Sequence, residues 1–136
     1  MLLYMPGNDV MIFKGRGVRK ELVLQLSDGE DLFACIRQAM AEGKIERSEV
    51  AAIEGRIKEG NVNYFQGNKY KSLEIKDANV YKASGKYEMR GRDLFGKISV
   101  IINQNGRMNT VTLGKGTASE GLKVRLSFIE VHEVKP

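Results

Sequence analysis

The sequence predicts an α+β (α/β) fold, a mostly antiparallel sheet of about 5–7 strands with one or two helices. Three observations predict it. Leu22, Leu24 and Leu26 alternate with Val23 and Gln25, the period-two pattern of a strand with one buried face. Leu32, Cys35, Ile36, Ala39 and Met40 then recur at helical spacing and form one apolar stripe. Leu122, Val124, Leu126 and Phe128 return to alternation against Lys123, Arg125 and Ser127.

The elements follow in order. Ser27-Asp28-Gly29-Glu30 supplies turn and N-cap chemistry between the first clear strand and the helix, with Ser27 or Asp28 as the capping acceptor. Glu30 and Asp31 suit the positive end of the helix dipole, and Gly43 is a C-terminal stop. Val50 to Ile57 is a short apolar strand interrupted at Gly55, and Asn61 to Phe65 continues in an extended pattern. Gln66-Gly67-Asn68 is a turn. Strands are expected from Lys69 to Ile75 and from Val80 to Lys86. The β-branched run Ile98–Ile102 is another, and Asn103-Gln104-Asn105-Gly106 turns it into a return strand holding Val111 and Leu113. In the last strand Phe128 and Ile129 are adjacent, so the phase slips; a bulge or a change of buried face explains that.

A chain of 136 residues suits a single domain, 1–136, with residues 1–20 as an N-terminal arm and first strand. One cysteine, Cys35, excludes an internal disulfide and any multi-cysteine zinc site, and its place on the helical stripe makes it a buried, inert thiol. The first five residues are too short for a signal-peptide core, and no apolar run approaches a membrane span, so a cytoplasmic location with no membrane partner is expected. Only one histidine, His132, is present, on the polar phase of the last strand. Most histidine-based acid/base and metal chemistry therefore lacks its parts, and no cofactor is expected.

A net charge of +5 permits a polyanionic partner without requiring one. Two basic glycine segments bear on DNA, Lys14-Gly15-Arg16-Gly17-Val18-Arg19-Lys20 and Arg90-Gly91-Arg92-Asp93. Arginine between small residues can enter the minor groove, but neither segment has the proline of an Arg-Gly-Arg-Pro hook, and solvated turns between strands explain both as well. Gly114-Lys115-Gly116-Thr117 lacks the first glycine of a phosphate loop and the strand-to-helix setting such a loop needs.

Several pieces together resemble the plant- and prokaryote-conserved (PPC) domain over Leu22 to Val131. They are Leu24-Gln25-Leu26-Ser27-Asp28-Gly29-Glu30-Asp31-Leu32, Ile53-Glu54-Gly55-Arg56-Ile57-Lys58-Glu59-Gly60-Asn61-Val62 followed by Tyr64-Phe65, and Val80-Tyr81-Lys82-Ala83-Ser84-Gly85. Gly106-Arg107-Met108 and Leu113-Gly114-Lys115-Gly116-Thr117-Ala118 keep the spacing of a late glycine-rich stretch of that domain. The resemblance makes 21–132 the family-like core. It implies an α/β domain on an antiparallel sheet, a homotrimer and a possible DNA-binding role. It also implies a histidine triad, and here the corresponding positions are Phe95, Lys97 and Thr112. None is an imidazole, so no zinc is expected there, and Lys97 with Arg107 or Lys115 could attract an anion instead.

Two functions from different classes follow. One is a non-enzymatic trimeric assembly and binding module, touching DNA through Arg16, Arg19, Lys20, Arg90 and Arg92 with weakly selective phosphate contacts. The other is a small-molecule or anion binder, or an enzyme, using an inter-subunit cleft where Tyr64, Lys97, Arg107, Thr112 and Lys115 gather. Catalysis there would need a tuned carboxylate such as Glu54 or a lysine of lowered pKa.

Overall fold

The leucines that alternate from Leu22 form the second half of a longer strand, Gly17–Leu26, in the computed structural model of the chain. The structure describes residues 3–6, 11–12, 17–104 and 106–131. Arg16 and His132 lie outside them. In chain order the elements are β1 (Leu3–Pro6), β2 (Met11–Ile12), β3 (Gly17–Leu26), α1 (Leu32–Glu42), β4 (Arg47–Gln66), β5 (Lys69–Arg90), β6 (Asp93–Gln104), β7 (Arg107–Ala118) and β8 (Leu122–Val131).

All eight strands join one antiparallel sheet in the order β1-β3-β8-β4-β5-β6-β7, with β2 also pairing β3. The prediction of a mostly antiparallel sheet with a helix holds, but the strand boundaries differ. Val50–Ile57 and Asn61–Phe65 are one strand, because Gly55 adopts φ +125° and lets the chain bend without leaving the ladder. The two strands expected between Lys69 and Lys86 are likewise one, β5, with a bend at Asp77 (φ +48°). The segment Gly17–Lys20, read as part of a solvated turn, is instead the start of β3, paired in unbroken register with β8 from Val131 back to Phe128.

β4 changes partner along its length. Glu49–Glu54 pair with β8, and Ile57–Asn63 pair with β7. Since β5 lines its other edge, the β4–β7 pairing closes β4-β5-β6-β7 into a ring. A ring has few open edges, which protects a strand-rich protein from pairing with itself. Inward residues fill it: Ile57, Val62, Ile98, Val100 and Ile102 are essentially inaccessible.

The helix covers the adjoining part of the sheet through the expected stripe, Leu32, Cys35, Ile36, Ala39 and Met40. Its N-cap differs from expectation. Asp31, not Ser27 or Asp28, caps it by accepting from the Ala34 N–H at 3.0 Å. Glu30 accepts from the Ser27 N–H at 2.7 Å, which holds its carboxyl below the usual range, and Asp28 pairs with Lys58. At the other end Gly43 caps the helix as expected; Lys44 after it takes the left-handed conformation, and the Ile45 N–H returns to the Met40 carbonyl. β8 neither bulges nor changes face against β3: its register is unbroken, Phe128 stays on the core side with Leu126, and Ile129 stands half-exposed on the opposite side, while the irregular pairing lies in β4 between Val50 and Ala52.

Gly96 sits at φ +152° under Tyr87, its cross-strand partner. A Cβ there would run into the Lys86 carbonyl and the Tyr87 ring. Gly96→Ala is therefore expected to destabilise the fold by about 3 kcal/mol, from backbone strain and overpacking together; a urea midpoint within error of wild type would contradict this. Burial first, and then the nearby Glu30 carboxylate, push the Cys35 thiol up to about 11. The folded state keeps this proton after the unfolded thiol has lost it, so stability falls as pH rises from the ordinary thiol range towards that value. Native protein is correspondingly expected to resist iodoacetamide near pH 8 and to react once unfolded.

Candidate functional site

In an antiparallel sheet, directly opposed residues share a face, and alternate residues change face. Register therefore places the outward side chains without further measurement. Ser84 opposes Ser99, Ser99 opposes Thr112, Thr112 opposes Asn63, and Asn63 opposes Ser72. The result is one row of small polar side chains running round the outside of the ring. Both of its ends lie on β5.

Cations border this row. Lys86 opposes Lys97 directly, each two residues from a serine of the row. Lys115 opposes Asn61, and it faces outward because β7 carries an extra residue, Gly114, between Leu113 and Lys115. Asn63 packs over Gly114, with its amide nitrogen 3.0 Å from where a Cβ would be, so a side chain at 114 would crowd the row. Lys82, exposed and opposite Ile101, continues the cations beyond Ser84. The face is not uniformly basic: Glu74 opposes Asn61 on the other edge, and Glu49 lies 3.9 Å from Lys86.

The sequence-predicted cleft is thus split. Lys97, Thr112 and Lys115 share the outer face, as do Phe95 and Lys97 on β6. Tyr64 has the opposite phase and packs against the core. Arg107 begins β7 at the hairpin end, in phase with Val111 rather than Thr112. Glu54 opposes Lys123 and stays exposed, away from this row.

Of the residues proposed for DNA, Arg19 and Lys20 are engaged by partners on β8, and Arg90 and Arg92 lie at the β5–β6 turn. Arg19 donates to Ser127 Oγ at 3.0 Å, and Lys20 lies 3.4 Å from Glu130. Arg90 closes β5 opposite Asp93, across a two-residue turn in which Gly91 supplies φ +65° and Arg92 is exposed. Its guanidinium stacks 4.7 Å from the Phe95 ring and 3.6 Å from a Glu88 oxygen. Gly114-Lys115-Gly116-Thr117 is extended β7, not a phosphate loop.

Beside this face lies an open cleft of about 1100 Å³, between the end of α1 and the outer ends of β3, β4, β5, β6 and β8. It brings together Arg19, Arg90 and Phe95, which sequence spacing alone did not connect, with Arg47, Phe128 and Ile129. Its carboxylates, among them Glu46 and Glu88, are interleaved with these cations. Tyr87 forms part of its inner wall and meets Phe33 edge to face at 6.4 Å. Sequence reasoning missed Lys86 and the row of small polar residues. Apart from Ser84 and Lys86 they lie well apart in sequence, and only strand register brings them into one row.

No family model matches the sequence, and no curated protein sequence matches it. Solved structures do. A metal-containing protein from Archaeoglobus fulgidus is 19% identical with a TM-score of 0.68, over 90% of this chain and 88% of that one. A plant- and prokaryote-conserved protein from Pyrococcus horikoshii is 18% identical with a TM-score of 0.66, over 91% and 87%. A candidate DNA-binding protein from Bacteroides thetaiotaomicron is 11% identical with a TM-score of 0.66, over 99% and 87%. The chain therefore has the fold of the plant- and prokaryote-conserved proteins. No helix among the described residues is long and apolar enough to cross a membrane.

Proposed function

We propose that the protein is a non-enzymatic, cytoplasmic binding module that assembles as a homotrimer and holds DNA by phosphate contacts on the outer face of the ring. The observation that carries this reading is the opposed pair Lys86 and Lys97 beside the row Ser84, Ser99, Thr112 and Asn63. Two ammonium groups on opposed residues repel, and a phosphate between them relieves that repulsion. Hydroxyl and amide groups next to them are donors for phosphate oxygens and carry no charge to exclude an anion. Nothing in this arrangement reads bases, so contacts of this kind bind most sequences alike. Lys115 extends the cations along the row. Arg92, exposed in its turn, is another cation nominated from sequence that is open to solvent.

Each lysine that meets a phosphate contributes about −0.9 to the slope of log K against log salt. Lys97→Gln is expected to weaken binding of unrelated duplexes to a similar extent and to flatten that slope by about 0.9. Fluorescence anisotropy over a salt series measures both. An unchanged slope, or no binding by the wild type at low salt, would remove the DNA role. Assembly is tested separately by light scattering, where a mass three times that of one chain is expected and a monomer at micromolar concentration would contradict the trimer.

A further inference from the structure

The most exposed large apolar side chains among the described residues are Phe65, at 74%, and Tyr70, at 62%. They are directly opposed on β4 and β5 and meet edge to face with centroids 5.1 Å apart. Both share the outer face with Asn63 and Ser72, so they continue the polar row by one step. Pairing of β7 with β4 stops at Asn63, so among the described residues the segment 64–71 is a two-stranded ribbon extending past the ring. Gly67, at φ +63°, closes it.

We infer that this ribbon end is a stacking platform for the bases of a single-stranded nucleic acid, a proposal that rests on the phosphate-binding reading above. Exposed aromatic rings cost free energy in water and recover it when a flat, apolar face covers them. A base exposes such a face only when unpaired, and aromatic stacking is how single strands are held without regard to sequence. Lys115 and Lys97, further along the aromatic face, favour this occupant over an apolar protein surface, with Glu74 opposite Asn61 partly offsetting them. Lys69 and Lys71 are exposed on either side of Tyr70 in sequence and project from the other face of the ribbon, the Lys71 ammonium 2.8 Å from Gln66 Oε1. On the aromatic face, the next positions are Asn63 and Ser72, then Thr112, and beyond them Lys115 and Lys97. A strand with a base against Phe65 or Tyr70 can run its phosphates along that row. A duplex has no free base face to offer.

The chain contains no tryptophan, so Phe65→Trp installs a single reporter at an exposed position. A short oligothymidylate is expected to quench its fluorescence, whereas a duplex of equal length leaves it unchanged. In parallel, the double variant Phe65→Ala with Tyr70→Ala is expected to bind the single strand at least about tenfold more weakly while duplex binding is retained. Circular dichroism and light scattering on both variants check fold and mass. Single-strand binding undiminished in the alanine variant, or a reporter that responds equally to duplex, overturns the stacking platform and leaves phosphate binding standing. A loss of assembled mass in the alanine variant also overturns it, because the aromatics then serve contact between copies. Absence of any nucleic-acid binding by the wild type overturns both readings.

Discussion

The change of partner along β4 governs the rest of the structure. One strand of twenty residues, Arg47–Gln66, pairs with β5 along one edge and divides the other between β8 and β7. The handover falls at Gly55–Ile57, where Gly55 takes φ +125° with Leu122 against it. A Cβ at Gly55 would come 3.2 Å from the Leu122 Cα, so the backbones approach as closely as they do only because the side chain is absent. Before the handover β4 carries β8, β3 and the N-terminal strands, and α1 bridges the two parts by packing on β3 and on β7 and β5 of the ring. After it, β4 closes the ring that displays the small polar row. The two halves are therefore built on one element, and the geometry of either constrains the other.

Closure also decides which side of each strand is free for function. Inside the ring, aliphatic residues leave no room for polar chemistry, and the one inward hydroxyl of note, on Tyr87, is buried without a hydrogen-bond partner among the described residues. Burial alone pushes the Tyr87 phenol well above its usual range, so it remains neutral and behaves as packing. Chemistry is left to the outer face. There the ion pairs are exposed: Arg47–Glu88 and Lys86–Glu49 each span 3.9 Å, with side chains largely in solvent. Pairs of that kind are worth little, and water or a stronger anion replaces them readily. Glu49 therefore offsets only weakly the repulsion between Lys86 and Lys97.

How much of this was legible in sequence depended on the range of the interaction. Period-two leucines gave β3 and β8, the apolar stripe gave α1, and glycine-containing turns gave the three hairpins, because each is a local pattern. Gly55 and Asp77 misled, since a break in alternation looks the same whether a strand ends or merely bends. The N-cap was misread for a similar reason: three acidic residues and a serine compete within Ser27–Asp31, and Asp31 is left as the cap because Asp28 engages Lys58 and Glu30 engages Ser27. Of the candidate site, Lys97, Thr112 and Lys115 were identified through a resemblance in spacing. Tyr64 lies on the other face from Thr112 because one residue of phase separates the two faces of a strand, and spacing alone does not report phase. Ser84, Ser99, Asn63 and Lys86 left no sequence signal at all.

Scarcity of histidine takes on a definite meaning in this setting. Phe95, Lys97 and Thr112, the positions where the resemblance carries imidazoles, all fall on the outer face. Phe95 holds the Arg90 guanidinium on its ring, which fixes a positive charge at that end. Lys97 faces Lys86 across the strand pair, an arrangement that costs up to about 1 kcal/mol as opposed like charges. A cation placed among these groups would add to the repulsion, and an anion would remove it. Of these three positions only Lys97 is itself charged: Phe95 carries the Arg90 guanidinium, which a Glu88 oxygen 3.6 Å away partly offsets, and Thr112 is neutral. Imidazoles there would be neutral metal ligands, whereas an ammonium repels a metal ion. An opposed lysine pair beside uncharged hydroxyls is therefore a setting in which an anion lowers the local repulsion and a metal ion raises it.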